Sequence, residues 1–243
     1  FPRIGDLQIQ MKIEEGALGL ALVGLPLGVQ VALLFADKTL AALGFRLAVC
    51  LGVPIIGISL VLASSAMEPL LFFFALFLGG LAVGIVEVAV NIEADRIEYK
   101  IGKKIMNRSH SFWSLGFFSA GLLGAVFSQI EITPTWHLML SFFISSILVI
   151  LLAGHYEAVE TRPNPNSKTI IFVIPSKGIL TLVFLTLSAM LIEGAGIDWS
   201  VIFMRDIFGT TAFFNGTALF LGALAQFFVR FFADSFVEKL GPA

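Results

Sequence analysis

Charge is scarce in this chain. Asp, Glu, Lys and Arg together make up 13% of its 243 residues, about half the share that soluble domains carry. A net charge of −2 without any basic run gives nucleic acid nothing to bind. Cysteine is nearly absent as well: Cys50 stands alone, which excludes an intrachain disulfide and a cysteine-based metal site. The three histidines, His110, His137 and His155, are scattered without ligand spacing, so no metal and no cofactor is expected. No nucleophile–base constellation is visible, and the chain does not read as an enzyme.

What fills the composition is apolar. Hydrophobic residues reach 58% and the mean hydropathy is +0.96. A helix needs roughly 20 mostly apolar residues to cross a hydrocarbon core of about 30 Å. Seven stretches meet that length, at about 17–36, 46–65, 69–92, 111–130, 137–154, 178–203 and 211–233. They are continuously apolar rather than alternating, which excludes barrel strands. Inside lipid every backbone N–H and C=O must be paired within the segment, so these runs are expected to be helices. The fold class is an all-α, polytopic membrane protein. Residues 1–16 are polar and charged and read as lying outside the membrane, not as a cleavable signal peptide.

The distribution of Lys and Arg orients the spans. With the N-terminus outside, the inner side receives Lys38, Arg46, Arg96, Lys100, Lys103, Lys104, Arg108, Arg162, Lys168, Lys177, Arg230 and Lys239. The outer side keeps Arg3, Lys12 and Arg205. The positive-inside rule therefore predicts an N-out, C-in topology in a plasma (cytoplasmic or inner) membrane. The longest polar connection, 156–177, contains Pro163 and Pro165 and reads as a cytoplasmic linker. It separates an incomplete first bundle, 1–155, from the start of a second, 178–243.

A repeat agrees with that division. Phe35-Ala36-Asp37 with Leu43-Gly44 recurs as Phe232-Ala233-Asp234 with Leu240-Gly241, at a constant offset of 197. Both copies share an orientation, as expected for halves related by an axis along the membrane normal. The two Asp…Gly turns resemble the cytoplasmic signature of the major facilitator superfamily, which lies between helices 2 and 3 and again between 8 and 9. The Asp-to-Gly interval is longer here, and Arg46 alone remains of the basic cluster. Glu87-Val88-Ala89-Val90-Asn91 and the run from Met106 to Gly116, which includes His110 and Trp113, are similar to the helix 4–5 region of the fucose–proton symporter branch. Ile192 to Ser200, with Glu193, Asp198 and Trp199, is similar to helix 7 of sugar-permease-like members. The resemblance implies that the seven spans are helices 2–8 of twelve. It also implies alternating-access transport and, for this partial chain, no transport alone.

Ionisable groups at membrane depth cost at least about 2.5 kcal/mol on insertion scales, so each one is a functional candidate. Gly80, Gly84, Glu87 and Asn91 follow steps of four, three and four and share one helix face. Glu193 sits mid-span with no basic residue in its own helix. Asp198, five residues on, lies about 140° round an ideal helix, unless Gly194 and Gly196 break it. Trp199 and Asp198 are open between substrate contact and interfacial anchoring, and so is Trp113 at the opening of its span. Glu93, Asp95 and Glu98 read as a solvated inner loop. Arg230 and Asp234 are i,i+4 and can pair directly, while Arg230 can also snorkel; both, with Asp37, Gly44, Arg46 and Gly241, are assigned gating or structural roles. Gly24, Pro26 and Gly28 suggest a kink or close packing.

The expected partners are a small polar solute such as a sugar, a proton as coupling ion and the lipid bilayer, with the protein a monomer. An efflux pump with drug/proton antiport is the alternative within the class, since 25 phenylalanines suit a permissive cavity. A heptahelical receptor shares the seven-span, N-out layout but lacks a half-to-half repeat.

Overall fold

A computed structural model describes residues 2–160 and 174–240. Ten helices follow one another in these residues, with no strand among them. They are α1 (Ile4–Met11), α2 (Glu15–Leu22), α3 (Gly24–Leu33), α4 (Ala36–Ser64), α5 (Pro69–Ile101), α6 (Met106–Gln129), α7 (Pro134–Ala153), α8 (Lys177–Phe208), α9 (Ala212–Asn215) and α10 (Thr217–Leu240). Counting α2 and α3 as one span, seven segments are long and apolar enough to cross a membrane. The protein is an integral, multi-pass helical membrane protein. Large apolar side chains cover its outside, Leu152 at 78% and Phe184 at 73% exposure among them, a surface that only acyl chains or further protein can cover.

Small residues set how closely the helices approach. Gly28 on α3 faces Gly80 on α5, while Gly24 abuts Phe73 and Gly84 abuts Val29 and Ala32, each glycine pair spaced as small-xxx-small. A Cβ on Gly28 would stand 2.2 Å from the Phe77 carbonyl oxygen, and one on Gly80 would stand 2.1 Å from that of Leu25. The backbones therefore touch. Val23, between α2 and α3, keeps right-handed helical dihedrals (φ −57°, ψ −22°), and the close-packing reading of the Gly24–Pro26–Gly28 run holds. On the other flank of α5, Gly52 of α4 meets Val86 and Gly79 meets Ser59. The helices α2–α5 and α7 form one packed group, with Phe72, Leu76 and Leu18 in its core.

A second group consists of α6, α8, α9 and α10. Although α6 precedes the expected division at 156–177, it lies chiefly along α10. Gly121 meets Phe220, and Gly216, just before α10, meets Ala125. Most of the 156–177 segment lies outside the described residues.

Three features go beyond the sequence expectations or correct them. First, residues 1–16 fold onto the bundle: Ile4, Leu7 and Met11 of α1 pack into the core beside Val201 and Ile202 of α8. Gln10 donates to the Ser64 and Ala66 carbonyls at the end of α4, and Arg205 of α8 donates to Gly5 O at 3.0 Å and Gln8 Oε1 at 2.7 Å. Arg3 is buried between Asp6 and the Ile132 carbonyl. The segment is an amphipathic plug, its polar residues capping neighbouring helix ends.

Second, the chain after the third span is no loop, because α5 runs on to Ile101. Glu93 is buried and accepts from Tyr156 Oη at 2.9 Å, Val159 N at 2.6 Å and Arg96 at 3.2 Å. Burial, then the hydrogen bond and negative charge of Glu93, raise the Tyr156 hydroxyl above its ordinary pKa of 10.0. The phenol that donates is therefore neutral at physiological pH, and the contact is lost only as pH rises through that raised value. Third, the first Asp…Gly stretch is helical on both sides of a break at Gly44, whose φ of +69° suits glycine.

Gly80→Val is expected to lower thermal stability in detergent by about 3 kcal/mol or more, since a side chain there must separate two backbones. Gly116→Ala, with open space around its Cα, is expected to leave the melting temperature within error.

Candidate functional site

The polar residues of the spans gather at three places. The first lies between α6, α8 and α10, near the middle of the bundle. Glu193, halfway along α8, accepts from Arg230 Nη2 of α10 at 3.0 Å. Arg230 Nη1 donates to Ser114 Oγ of α6 at 3.2 Å, and its guanidinium lies 5.6 Å from the Trp113 ring centre. Trp113 in turn stacks on Phe117. A guanidinium suits this position because its planar face rests on an aromatic ring while its edge donates. A cavity of about 280 Å³ opens beside the pair, lined by Trp113, Phe117, Glu193, Ser200, Gly222 and Gln226 among others.

The missing cation for Glu193 thus comes from another helix. Arg230 does not pair with Asp234 as the i,i+4 spacing suggested, because the two side chains turn to different neighbours. Asp234 is buried at the second place, the basic end of the bundle, where its carboxylate accepts from Asn107 Nδ2 at 2.7 Å and Arg108 N at 3.0 Å. Glu98 of α5 accepts from Ile105 N at 2.6 Å and Met106 N at 2.8 Å. The first turn of α6 has no cap from its own residues. Two carboxylates from α5 and α10 therefore satisfy its orphan amides and face the positive end of its dipole. Arg108 lies over the Phe231 ring at 5.2 Å, completing the contact with α10.

The third place joins α5 to α6. Asn91 Oδ1 and His110 Nε2 are 3.1 Å apart, a hydrogen bond that requires the proton on Nε2. Glu87, one turn earlier on the Asn91 face, is exposed and makes no hydrogen bond or ion pair among the described residues. Gly80 and Gly84 on that face are packed against α3, so the stripe serves both packing and polarity.

The remaining candidates are dispersed. Asp198 is half-buried in α8, which runs unbroken through Gly194 and Gly196, so Asp198 and Glu193 do not share a face. Trp199 packs against Gly19 of α2 and the α1–α8 core. Asp37 and Arg46 are exposed on either side of the Gly44 break, unlike the buried Asp234 of the other repeat copy. Gly241 lies outside the described residues. Sequence reasoning missed Ser114, Gln226 and Ser200, whose buried Oγ has no partner among the described residues. A Ser next to an interfacial Trp carries no distinguishing pattern; only the arrival of Arg230 from α10 gives it meaning.

No protein-family model matches the chain, and no solved structure matches it significantly. Two curated relatives do. An uncharacterized transporter of Sinorhizobium fredii is 27% identical over 247 residues, covering 99% of this chain and 64% of the relative. An uncharacterized MFS-type transporter of Yersinia pestis is 25% identical over 241 residues, covering 99% and 62%. The chain spans a little under two thirds of the length of both.

Replacing Arg230 with Gln is expected to leave Glu193 without a counter-charge and to destabilise the fold by about 1–3 kcal/mol. The double variant Arg230→Gln/Glu193→Gln is expected to recover part of that loss. Thermal melting of all three proteins in detergent checks the coupling, which additive losses would exclude.

Proposed function

We propose that this chain is part of a transmembrane solute carrier of the major facilitator type, working by alternating access. The observation that carries the reading is Glu193 in the wall of a cavity between three spans, paired with Arg230 just beside it. Charge at that depth is kept where it meets solute or protons. The names of the two relatives support transport, and the buried Asp234 is in keeping with the repeat-based signature. Under this reading the protein is a monomer of a plasma (cytoplasmic or inner) membrane and takes up a small polar solute, such as a sugar, together with protons. The linker at 156–177 joins its two bundles.

Two carboxylates are placed for coupling. Glu193 exchanges its ion pair for a proton when the pair opens, because an uncompensated carboxylate in a low-dielectric wall is neutralised. Glu87 stands unpaired on the Asn91 face and is the second candidate. Asp234 and Glu98 hold the first turn of α6 and have a gating or structural role, as does Asp37 in the other copy.

The test uses the full native polypeptide that carries this sequence, reconstituted in proteoliposomes with an imposed pH gradient. Glu193→Gln mimics the protonated acid permanently. It is expected to abolish proton-driven accumulation while counterflow, which needs no net proton release, persists in part. Undiminished accumulation by this variant removes Glu193 from coupling, and the same pair of assays on Glu87→Gln decides whether that residue carries the proton instead.

A further inference from the structure

The Glu193–Arg230 pair is built unequally. Arg230 is held at three points: Nη2 on Glu193, Nη1 on Ser114 and its face against Trp113. Glu193 has Arg230 as its single hydrogen-bond partner among the described residues, through one oxygen only. A guanidinium offers five N–H donors in a planar fork that matches a carboxylate at two points. Two of the five are engaged here, so the contact with Glu193 uses half of what the fork can give a carboxylate. Arg230 stays in place if Glu193 leaves, and a better-fitting carboxylate can take its seat. The cavity wall beside it supplies polar groups that nothing else uses. Ser200 Oγ is buried with no partner, and Gln226 makes no hydrogen bond among the described residues. At about 280 Å³ the cavity is at the small end of ligand sites.

Resting on the carrier reading, we propose that the solute is a small hydroxylated carboxylate, which replaces Glu193 on Arg230 and sets its hydroxyls against Ser200 and Gln226. The charge balance follows. Arg230⁺ and Glu193⁻ sum to zero; with the anion bound, neutrality is kept only when the displaced Glu193 takes one proton from water. Each anion then travels with one proton. Among the described residues, no other charged side chain hydrogen-bonds or pairs with Arg230 or Glu193, and Glu87 stands on α5, which does not line the cavity. From α6, Trp113 and Ser114 face the pair, while His110 is bonded to Asn91 and Arg108 lies over Phe231. On α10, Asp234 is bonded to the start of α6. The short helix α9 has no titratable residue, Asp6 of α1 lies at the Arg205 end of α8, and Asp198 points away from Glu193 on α8 itself.

The probes are D-gluconate and D-glycerate, set against the uncharged D-glucose and D-xylose, applied to the full native polypeptide in detergent and in proteoliposomes. The two carboxylates are expected to raise the melting temperature and to accumulate down an inward proton gradient, with uptake unchanged when the membrane potential is clamped. Arg230→Gln is expected to abolish both effects. Should that variant fail to fold, Ser200→Ala leaves the ion pair intact and is expected to weaken gluconate binding about tenfold. Stabilisation and accumulation confined to glucose or xylose overturn the carboxylate assignment and leave the carrier reading standing. Failure of all four solutes to accumulate or exchange overturns the assignment and counts against the carrier reading too. Full gluconate affinity in both variants overturns the assignment by itself.

Discussion

A membrane interior has no water to complete a hydrogen bond or solvate a charge, and the arrangement of these helices follows from that constraint. Key charged groups away from the surface are answered by another helix, and the answering group fixes where that helix must lie. Asp234 of α10 and Glu98 of α5 meet the amides that open α6; Arg230 of α10 meets Glu193 of α8. Between these points the helices need nothing but contact, and glycine lets them have it closely, as at Gly28 and Gly80. Polar pairs set position and small residues set distance.

Helix α6 is where these demands meet. Its first turn is held by carboxylates from two different helices, and its second carries His110, Trp113 and Ser114 towards α5 and α10. An element tied at its end by charge-assisted hydrogen bonds moves as a unit with whatever carries those charges. Since Glu98 belongs to α5 and Asp234 to α10, a displacement between the two packed groups has to break one of the two attachments. Breaking the Asp234 contact exposes two donors and a carboxylate at the basic end of the bundle, where water replaces them at little loss. The contact at that end is thus strong when dry and replaceable when wet, a property that a gate requires. The Glu193–Arg230 pair lies deeper in the bundle, away from the basic end.

How much of this was legible depended on whether a partner lies in the same helix. Span number, the helical class and the close packing at Gly24 and Gly28 follow from length and spacing within single segments, and they were readable. Glu193 stood out because a lone mid-span carboxylate is anomalous by itself. Its partner was not readable, because Arg230 is 37 residues away and i,i+4 geometry pointed to Asp234 instead. Glu93 and Glu98 were misread for the opposite reason. Their charge suggested a wet loop, yet helix α5 continues and each carboxylate finds backbone amides to accept from. The packing of α1 was not readable either: the carbonyls that Arg3 and Gln10 serve belong to distant parts of the chain.

Glu87 and Glu193 show how pairing sorts acids of similar depth. Glu193 meets its counter-charge, Arg230, within the bundle. Glu87 has no counter-charge among the described residues, and a bare carboxylate against acyl chains would cost about 2.5 kcal/mol or more. The face of α5 that carries Glu87 is therefore one that meets water or further protein, not lipid. Asn91 on the same face supports this, since its amide is already turned to His110 of α6. The proposed carrier reading asks for an acid that meets the cavity, and Glu193 lines it; Glu87, on α5 rather than α8 or α10, stands outside that wall.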